Sequence, residues 1–156
     1  MKKNILKIVI LVIVDQVIKI IISNTIGVSG NSITLIPHVL KLTYLENTGA
    51  AFGMFSGRIL LIGVDLLIIF FVLKLLLDKK SELIKGNKVG LTFILAGGIG
   101  NLIDRIFRGS VVDYLDITDL FDYPIFNFAD ICVVVGVILI IIVILISTVQ
   151  RQEREK

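Results

Sequence analysis

The chain has 156 residues, 56% of them hydrophobic, with a net charge of +3 and a mean hydropathy of +0.98. Soluble domains carry about 45–50% apolar residues, so this composition excludes an ordinary water-soluble fold, and the length allows a single domain over 1–156. The basic residues fall in short clusters between apolar runs, which argues against nucleic acid; one cysteine (Cys132) and one histidine (His38) exclude an internal disulfide and a Cys/His zinc site.

The N-terminus starts Met1-Lys2-Lys3 and turns apolar, in the manner of a secretory signal peptide. No small-residue cleavage site follows, and three more apolar segments do, so the expectation is an uncleaved first membrane helix. A helix needs roughly 20 mostly apolar residues to cross the hydrocarbon core. Four segments answer: about Ile5–Ser23, Ile59–Leu77, Val89–Phe107 and Phe128–Val149. The predicted fold is an all-α membrane bundle of four transmembrane helices. Lys and Arg set its orientation. The termini and the second-to-third connection hold ten of them, the other two connections and their helix ends four (Lys41, Arg58, Arg105, Arg108). Both termini are therefore expected in the cytoplasm.

The first outer connection contains the stretch Ile33 to Leu45, in which Leu40, Leu42 and Tyr44 alternate with Val39, Lys41 and Thr43. This predicts extended structure broken at Pro37. A small extracytoplasmic β-sheet between the first two helices, within about 26–58, is expected to lie on the membrane. The second outer connection, about 108–127, is read as a loop.

Ionisable residues inside a span cost about 2.5–3.5 kcal/mol or more each and face the bundle interior or a watery cavity. Asp15 and Lys19, four apart, share a helix face. They form either an internal ion pair whose lysine snorkels outward or part of a site. In the third span Gly97, Asn101 and Asp104 make one stripe at i, i+4, i+7, with Arg105 beside it. Helix packing explains the glycines but not the polar cluster at the outer end. Asp65 lies in the second span and is expected to snorkel or pair with a polar group of the bundle. Asp130 opens the fourth helix, where a carboxylate can simply cap the N-terminus. Asp113 is followed by Asp116, Asp119 and Asp122, but the pattern lacks a known calcium loop.

The third span, the loop and the start of the fourth can fold back so that Asp113 and Asp130 meet at the outer surface. Two close carboxylates share a proton. The ionised one can deprotonate water, and the protonated one can donate to a carbonyl oxygen and then to the leaving amine. That is peptide hydrolysis without metal or covalent intermediate. A Cys-His pair does not fit, since His38 lies in a loop and Cys132 in a span, and no G-x-S-x-G elbow occurs. A Ser23/Lys19 pair is a weaker alternative.

Five motifs stand in order: Asp15-Gln16-Val17-Ile18-Lys19, Glu46-Asn47-Thr48-Gly49-Ala50-Ala51-Phe52-Gly53, Gly100-Asn101-Leu102-Ile103-Asp104-Arg105, Val111-Val112-Asp113-Tyr114 and Phe126-Asn127-Phe128-Ala129-Asp130. With them, over nearly the whole chain, the sequence resembles the lipoprotein signal peptidase (signal peptidase II) family of bacterial aspartyl membrane peptidases. The resemblance implies catalysis by Asp113 and Asp130. It implies a pocket shaped or supported by Asn47, Gly49, Gly97, Asn101, Asp104, Arg105 and Asn127, with Asp15 and Lys19 stabilising the fold. It further implies a diacylglyceryl-prolipoprotein substrate cut before its lipidated cysteine, a sheet that cradles that substrate, sensitivity to the cyclic peptide globomycin, and residence in the bacterial cell membrane with the site outside. No metal or cofactor is implied, nucleic acid is not a partner, and the chain is expected to act as a monomer among membrane lipid. A proton-linked carrier is a rival reading of intramembrane charge, but the charges form no path to the cytoplasm and broken paired half-helices are missing. A structural subunit whose polar stripe meets a partner is the remaining alternative.

Overall fold

The computed structural model describes residues 2–49, 57–78 and 82–154, without the side chains of 82–85 and 154. Ala50 to Gly53 of the second motif, and the side chains of Lys79, Lys80, Lys85, Arg154 and Lys156 in the basic clusters, lie outside what is described.

Four helices account for most of the chain: α1 (Lys2–Ile22), α2 (Arg58–Leu77), α3 (Glu82–Phe107) and α4 (Phe128–Arg154). Their predicted cores fall within these limits, but α3 begins seven residues earlier than hydropathy suggests and α4 ends five later. The extra turns are polar, so an apolarity threshold trims them although their backbone bonds continue. Beyond α1, a π-helical turn over Ser23–Gly27 carries the helix into what was read as connection. Among the described residues, three helices, Arg58–Leu77, Gly86–Phe107 and Phe128–Glu153, are long and apolar enough to cross a membrane. The apolar run of α1 is interrupted by Lys7, Asp15 and Lys19.

The helix α3 is central and packs against each of the others. Its apolar stretch is 44% buried within the protein, against 6% for that of α2 and 11% for that of α4. Leu91, Leu95, Ala96 and Leu102 fill its inner faces, while α2 and α4 turn isoleucine, leucine and phenylalanine outward. In water that surface would be untenable; in lipid it is the matching solvent. The α3–α4 seam is close because glycines line it. A Cβ on Gly136 would stand 2.6 Å from the Gly90 carbonyl oxygen, and one on Gly97 would collide with the Ala129 carbonyl oxygen. Small residues let helix backbones gain dispersion contact where no hydrophobic force acts between helices.

A three-stranded antiparallel sheet caps one end of the bundle: β1 (Ile33–Ile36), β2 (Leu40–Asn47) and β3 (Val111–Asp116), in that order. Pro37 to Val39 form the turn between the first two strands, with His38 at φ 59°. The expected sheet between the first two helices is therefore incomplete: its third strand comes from the connection before α4, which was read as loop. Strand β3 is buried on both faces, so its sequence shows no alternation. Its outer edge is covered too, since Tyr114 and Leu115 donate to the Phe126 carbonyl at 3.0 and 2.7 Å. Val112 and Tyr114 pack with Ile22 and Ile26 in a small core that seats the sheet on the end of α1.

Candidate active site

The start of α4 organises the site. A helix N-terminus leaves backbone donors that need partners. Asn127 and Asp130 satisfy two reciprocally: the Asp130 N–H donates to Asn127 Oδ1 and the Asn127 N–H to Asp130 Oδ2, both at 3.0 Å. This is a capping box with Asn and Asp in place of Ser and Glu. The Phe128 N–H donates to the Tyr114 hydroxyl at 3.2 Å, and the Ala129 N–H to Asp15 Oδ1 at 3.1 Å. The capping account of Asp130 is thus correct, but it leaves the carboxylate available to a cleft.

Strand pairing delivers the second carboxylate. Asn47 stands opposite Val111 and Leu45 opposite Asp113, so Asn47 and Asp113 are diagonal neighbours on one face. The Asn47 amide donates to Asp113 Oδ2 at 2.9 Å, and the Asn127 amide to Asp113 Oδ1 at 2.6 Å. On the other side, the Asn101 amide donates to Asp130 Oδ1 at 2.8 Å. Among the described residues, every hydrogen bond either carboxylate accepts comes from an amide N–H.

Three asparagines therefore face the two acids with their donors, and each is locked in that sense by its own oxygen. Asn47 Oδ1 accepts from the Gly49 N–H at 2.9 Å, and Asn127 Oδ1 from the Asp130 N–H. Asn101 Oδ1 accepts from Lys19 Nζ at 3.0 Å and from the Asn127 amide at 3.2 Å. Backbone N–H and ammonium groups can only donate, so none of these amides can flip without losing a bond. Asn127 touches both acids and bridges them.

Both carboxylates line one cleft of about 250 Å³, with Asn47, Asn101 and Arg105 in its polar wall and Ile125, Phe126, Val133 and Val134 among its apolar lining. Asp113 is 2% exposed. Burial raises its pKa to about 6. The Asn47 and Asn127 bonds oppose that rise, and the charge of Asp130 adds to it. A carboxyl held there keeps its proton into the mildly acidic range.

Behind the cleft lies a second acid cluster of another kind. Lys19 Nζ meets Asp15 Oδ2 at 3.0 Å, Asp104 Oδ2 at 2.9 Å and Asn101 Oδ1 at 3.0 Å, and is wholly buried. The expected outward snorkelling does not occur, because all three ammonium protons find acceptors inside. Asp104 also accepts from the Val112 N–H at 3.2 Å and faces Arg108 Nε at 3.4 Å. It ties α3 to β3. Gln16, quoted in a motif but given no role from sequence, donates to the Gly100 carbonyl at 3.1 Å and to Asp104 at 3.3 Å. Tyr114 and the wall from Tyr123 to Phe126 were likewise not anticipated; only their place inside or beside two motifs hinted at them.

The remaining expected residues are placed as follows. Gly97 sits at the α3–α4 seam against Ala129 and Val133, behind the cleft wall. Asp65 pairs with Arg105 Nη1 at 2.8 Å. The Ser23 hydroxyl donates to the Lys19 carbonyl at 2.8 Å while Lys19 Nζ is occupied by carboxylates, so these two make no nucleophile–base pair. Asp116 accepts from Thr118 and Thr43, and Asp119 pairs with Lys41 at 2.7 Å. Asp116 and Asp119 thus have separate partners.

Residues 7–146 match the family model described as signal peptidase (SPase) II. The chain is 42% identical over 154 residues to lipoprotein signal peptidases of Staphylococcus aureus strains JH9 and Newman, covering 97% of this chain and 93% of each relative. It is also similar to two solved structures described as bacterial membrane enzymes studied by the in meso method. One, at 2.3 Å resolution, has a TM-score of 0.81 and 35% identity, covering 95% of this chain and 90% of that one. The other, at 1.9 Å resolution, has a TM-score of 0.81 and 38% identity, with 93% and 94% covered. Both the sequence match and the backbone likeness run through the four helices, the sheet and the cleft. The chain belongs to the signal peptidase II family and is a multi-pass membrane protease of the aspartic type.

Proposed function

We propose that this protein removes the signal peptide from diacylglyceryl-modified prolipoproteins, cutting before the lipidated cysteine with Asp113 and Asp130 as acid and base. The observation that carries the reading is one cleft lined by two carboxylates, Asp113 buried and Asp130 partly so, whose partners among the described residues are all neutral amide donors. A cation at bonding distance would fix both as carboxylates; amide donors leave one free to hold a proton.

We assign the proton to Asp113 and the base to Asp130. Asp130 takes a proton from water as its oxygen attacks the scissile carbonyl carbon. Asp113 gives its proton to the carbonyl oxygen, yielding a neutral gem-diol. Asp130 then protonates the amine as the C–N bond breaks, and Asp113 regains a proton as the new carboxyl forms. Each acid ends as it began. Asn47, Asn101 and Asn127 hold the pair in register throughout, and the asparagine between the two acids keeps their separation fixed.

The membrane placement follows from the same reading. The helix α1, 21 residues long, would rise about 31 Å at 1.5 Å per residue, enough for a fourth span. Its ionisable residues are either at the start or in the buried Lys19 cluster. The basic excess puts both termini in the cytoplasm and the sheet and cleft at the outer face. The apolar lining beside the two acids suits a substrate whose acyl chains stay in the outer leaflet. Globomycin-type peptides would compete for that lining.

The test is cleavage of a synthetic diacylglyceryl-modified precursor peptide by the purified chain in lipid bicelles, with and without a chelator. Release of a fragment beginning at the lipidated cysteine, unaffected by the chelator, is expected. Activity in either Asp113→Asn or Asp130→Asn would overturn the mechanism.

A further inference from the structure

We infer that Asp65 is a positioning residue: its carboxylate clamps Arg105 in the cleft wall, so that the guanidinium donates to a carbonyl oxygen of the bound substrate. The inference rests on the proposed peptidase reading and extends it to a helix that otherwise contributes no polar group to the site.

Asp65 lies midway along α2, whose other ionisable residues are Arg58 and Lys74 near its ends. An acid there is costly unless it is paired. Asp65 Oδ2 meets Arg105 Nη1 at 2.8 Å, and the two side chains are only 16% and 13% exposed. The same helix grips the backbone beside its partner. Arg58 donates to the Arg105 carbonyl at 2.9 Å and to the Ile106 carbonyl at 2.6 Å. Arg105 is thus fixed at both its main chain and the tip of its side chain.

The guanidinium is not fully used by this clamp. Arg105 Nε is buried and has no acceptor among the described residues, while the residue lines the cleft beside Asp113 and Asp130. A buried donor without a partner is costly, and here it borders the space where a substrate would lie. Arginine has five donors in a rigid fork, so holding Nη1 orients the remaining N–H groups as one unit. A neutral acceptor suits it, because Asp65 already balances the charge. The substrate class offers such acceptors in two places, the peptide backbone and the ester groups of the diacylglyceryl chain.

The experiment compares the full-length protein with Asp65→Asn, Asp65→Glu, Arg105→Lys and the Asp65→Asn/Arg105→Lys double variant, in bicelles. Folded fractions are matched by thermal melting in detergent. Asp65→Asn is expected to lower kcat/KM about tenfold, the scale of one charge-assisted hydrogen bond, mainly through KM. Asp65→Glu should recover part of the loss. In the Arg105→Lys background, Asp65→Asn should add little, because the clamp has nothing left to orient. Repeating the series with ether-linked chains locates the acceptor. A loss that disappears assigns it to the ester carbonyls, and one that persists to the peptide; both support the clamp. Wild-type kcat/KM in Asp65→Asn, or a full additional loss in the Arg105→Lys background, overturns it. A wild-type chain that fails to cleave, or a cleaving Asp113→Asn variant, overturns the peptidase reading instead.

Discussion

Two acid clusters lie side by side in this protein and are neutralised in different ways. Asp15 and Asp104 share the buried ammonium of Lys19 at 3.0 and 2.9 Å. Asp113 and Asp130 accept from three asparagine amides and a backbone N–H. The difference lies in what each arrangement does to a proton. An ammonium supplies a full opposite charge to the two carboxylates it bonds. Amides supply direction without charge, so burial still favours a neutral acid at one of the two positions. Asn101 joins the clusters, accepting from Lys19 and donating to Asp130. The lysine thereby sets the amide's orientation for the acid it does not itself bond.

The largest expected effect is on the amide-held pair. Asp113→Asn and Asp130→Asn should each lower cleavage by at least about 10²–10⁴-fold, the usual contribution of one acid–base group. Both variants should remain membrane-inserted with near-native melting. Equal loss of folded protein would mean that this cluster, too, is structural.

Lys19→Met reverses that pattern. It leaves Asp15 and Asp104 buried without their shared cation, a loss of about 3–5 kcal/mol, to be seen as a large drop in the detergent melting temperature. Adding Asp15→Asn and Asp104→Asn should restore part of it, because the uncompensated charge is then gone. No recovery would mean that the cluster acts by shape rather than charge.

pH separates the two clusters more finely. Burial lifts Asp113 from 3.8 to about 6 in the folded protein. Between those values the folded state binds more protons than the unfolded one, so stability falls as pH rises from about 4 to 6. The loss is on the order of 3 kcal/mol, at 1.36 kcal/mol per unit. Asp113→Asn should remove this slope and melt higher than the wild type at pH 7, but not at pH 4. Cleavage should decline as pH rises with an apparent pKa near 6, that of the coupled pair. An unchanged slope in the variant would assign the titration elsewhere.

The smallest effect contrasts two glycines on one seam. Gly97→Ala and Gly136→Ala should each cost about 1–3 kcal/mol by forcing α3 from α4, since both meet carbonyl oxygens of the facing helix. Gly97 lies one turn from Asn101 and packs on Ala129, next to Asp130, so its variant should also lose activity. Gly136 packs on Gly90, farther along the helices, and its variant should stay active once folded. Equal activity in both would separate the seam from the site.

The four helices were legible because apolar runs of this length have few alternatives, and the paired strands β1 and β2 because alternation and Pro37 mark them. Strand β3 was not: Val111 to Asp116 is buried on both faces and shows no period. Its pairing with β2 depends on residues more than 60 positions away. The same distance hid which acids belong together. Asp15 and Lys19 are legible as an i, i+4 pair, but nothing local says that Asp104 joins them or that Asn101 turns its amide to Asp130.

Local chemistry in the sequence determined the apolar spans, the capping residues at the start of α4 and the identity of the candidate acids. The tertiary fold alone decided which acid received a cation and which received amides, since that depends on which helix ends meet. It also decided that Asp65, expected from sequence to snorkel or to pair with some polar group of the bundle, stands against Arg105. Ionisable groups are placed in sequence one at a time, but their protonation and pairing belong to the neighbours that folding brings to them.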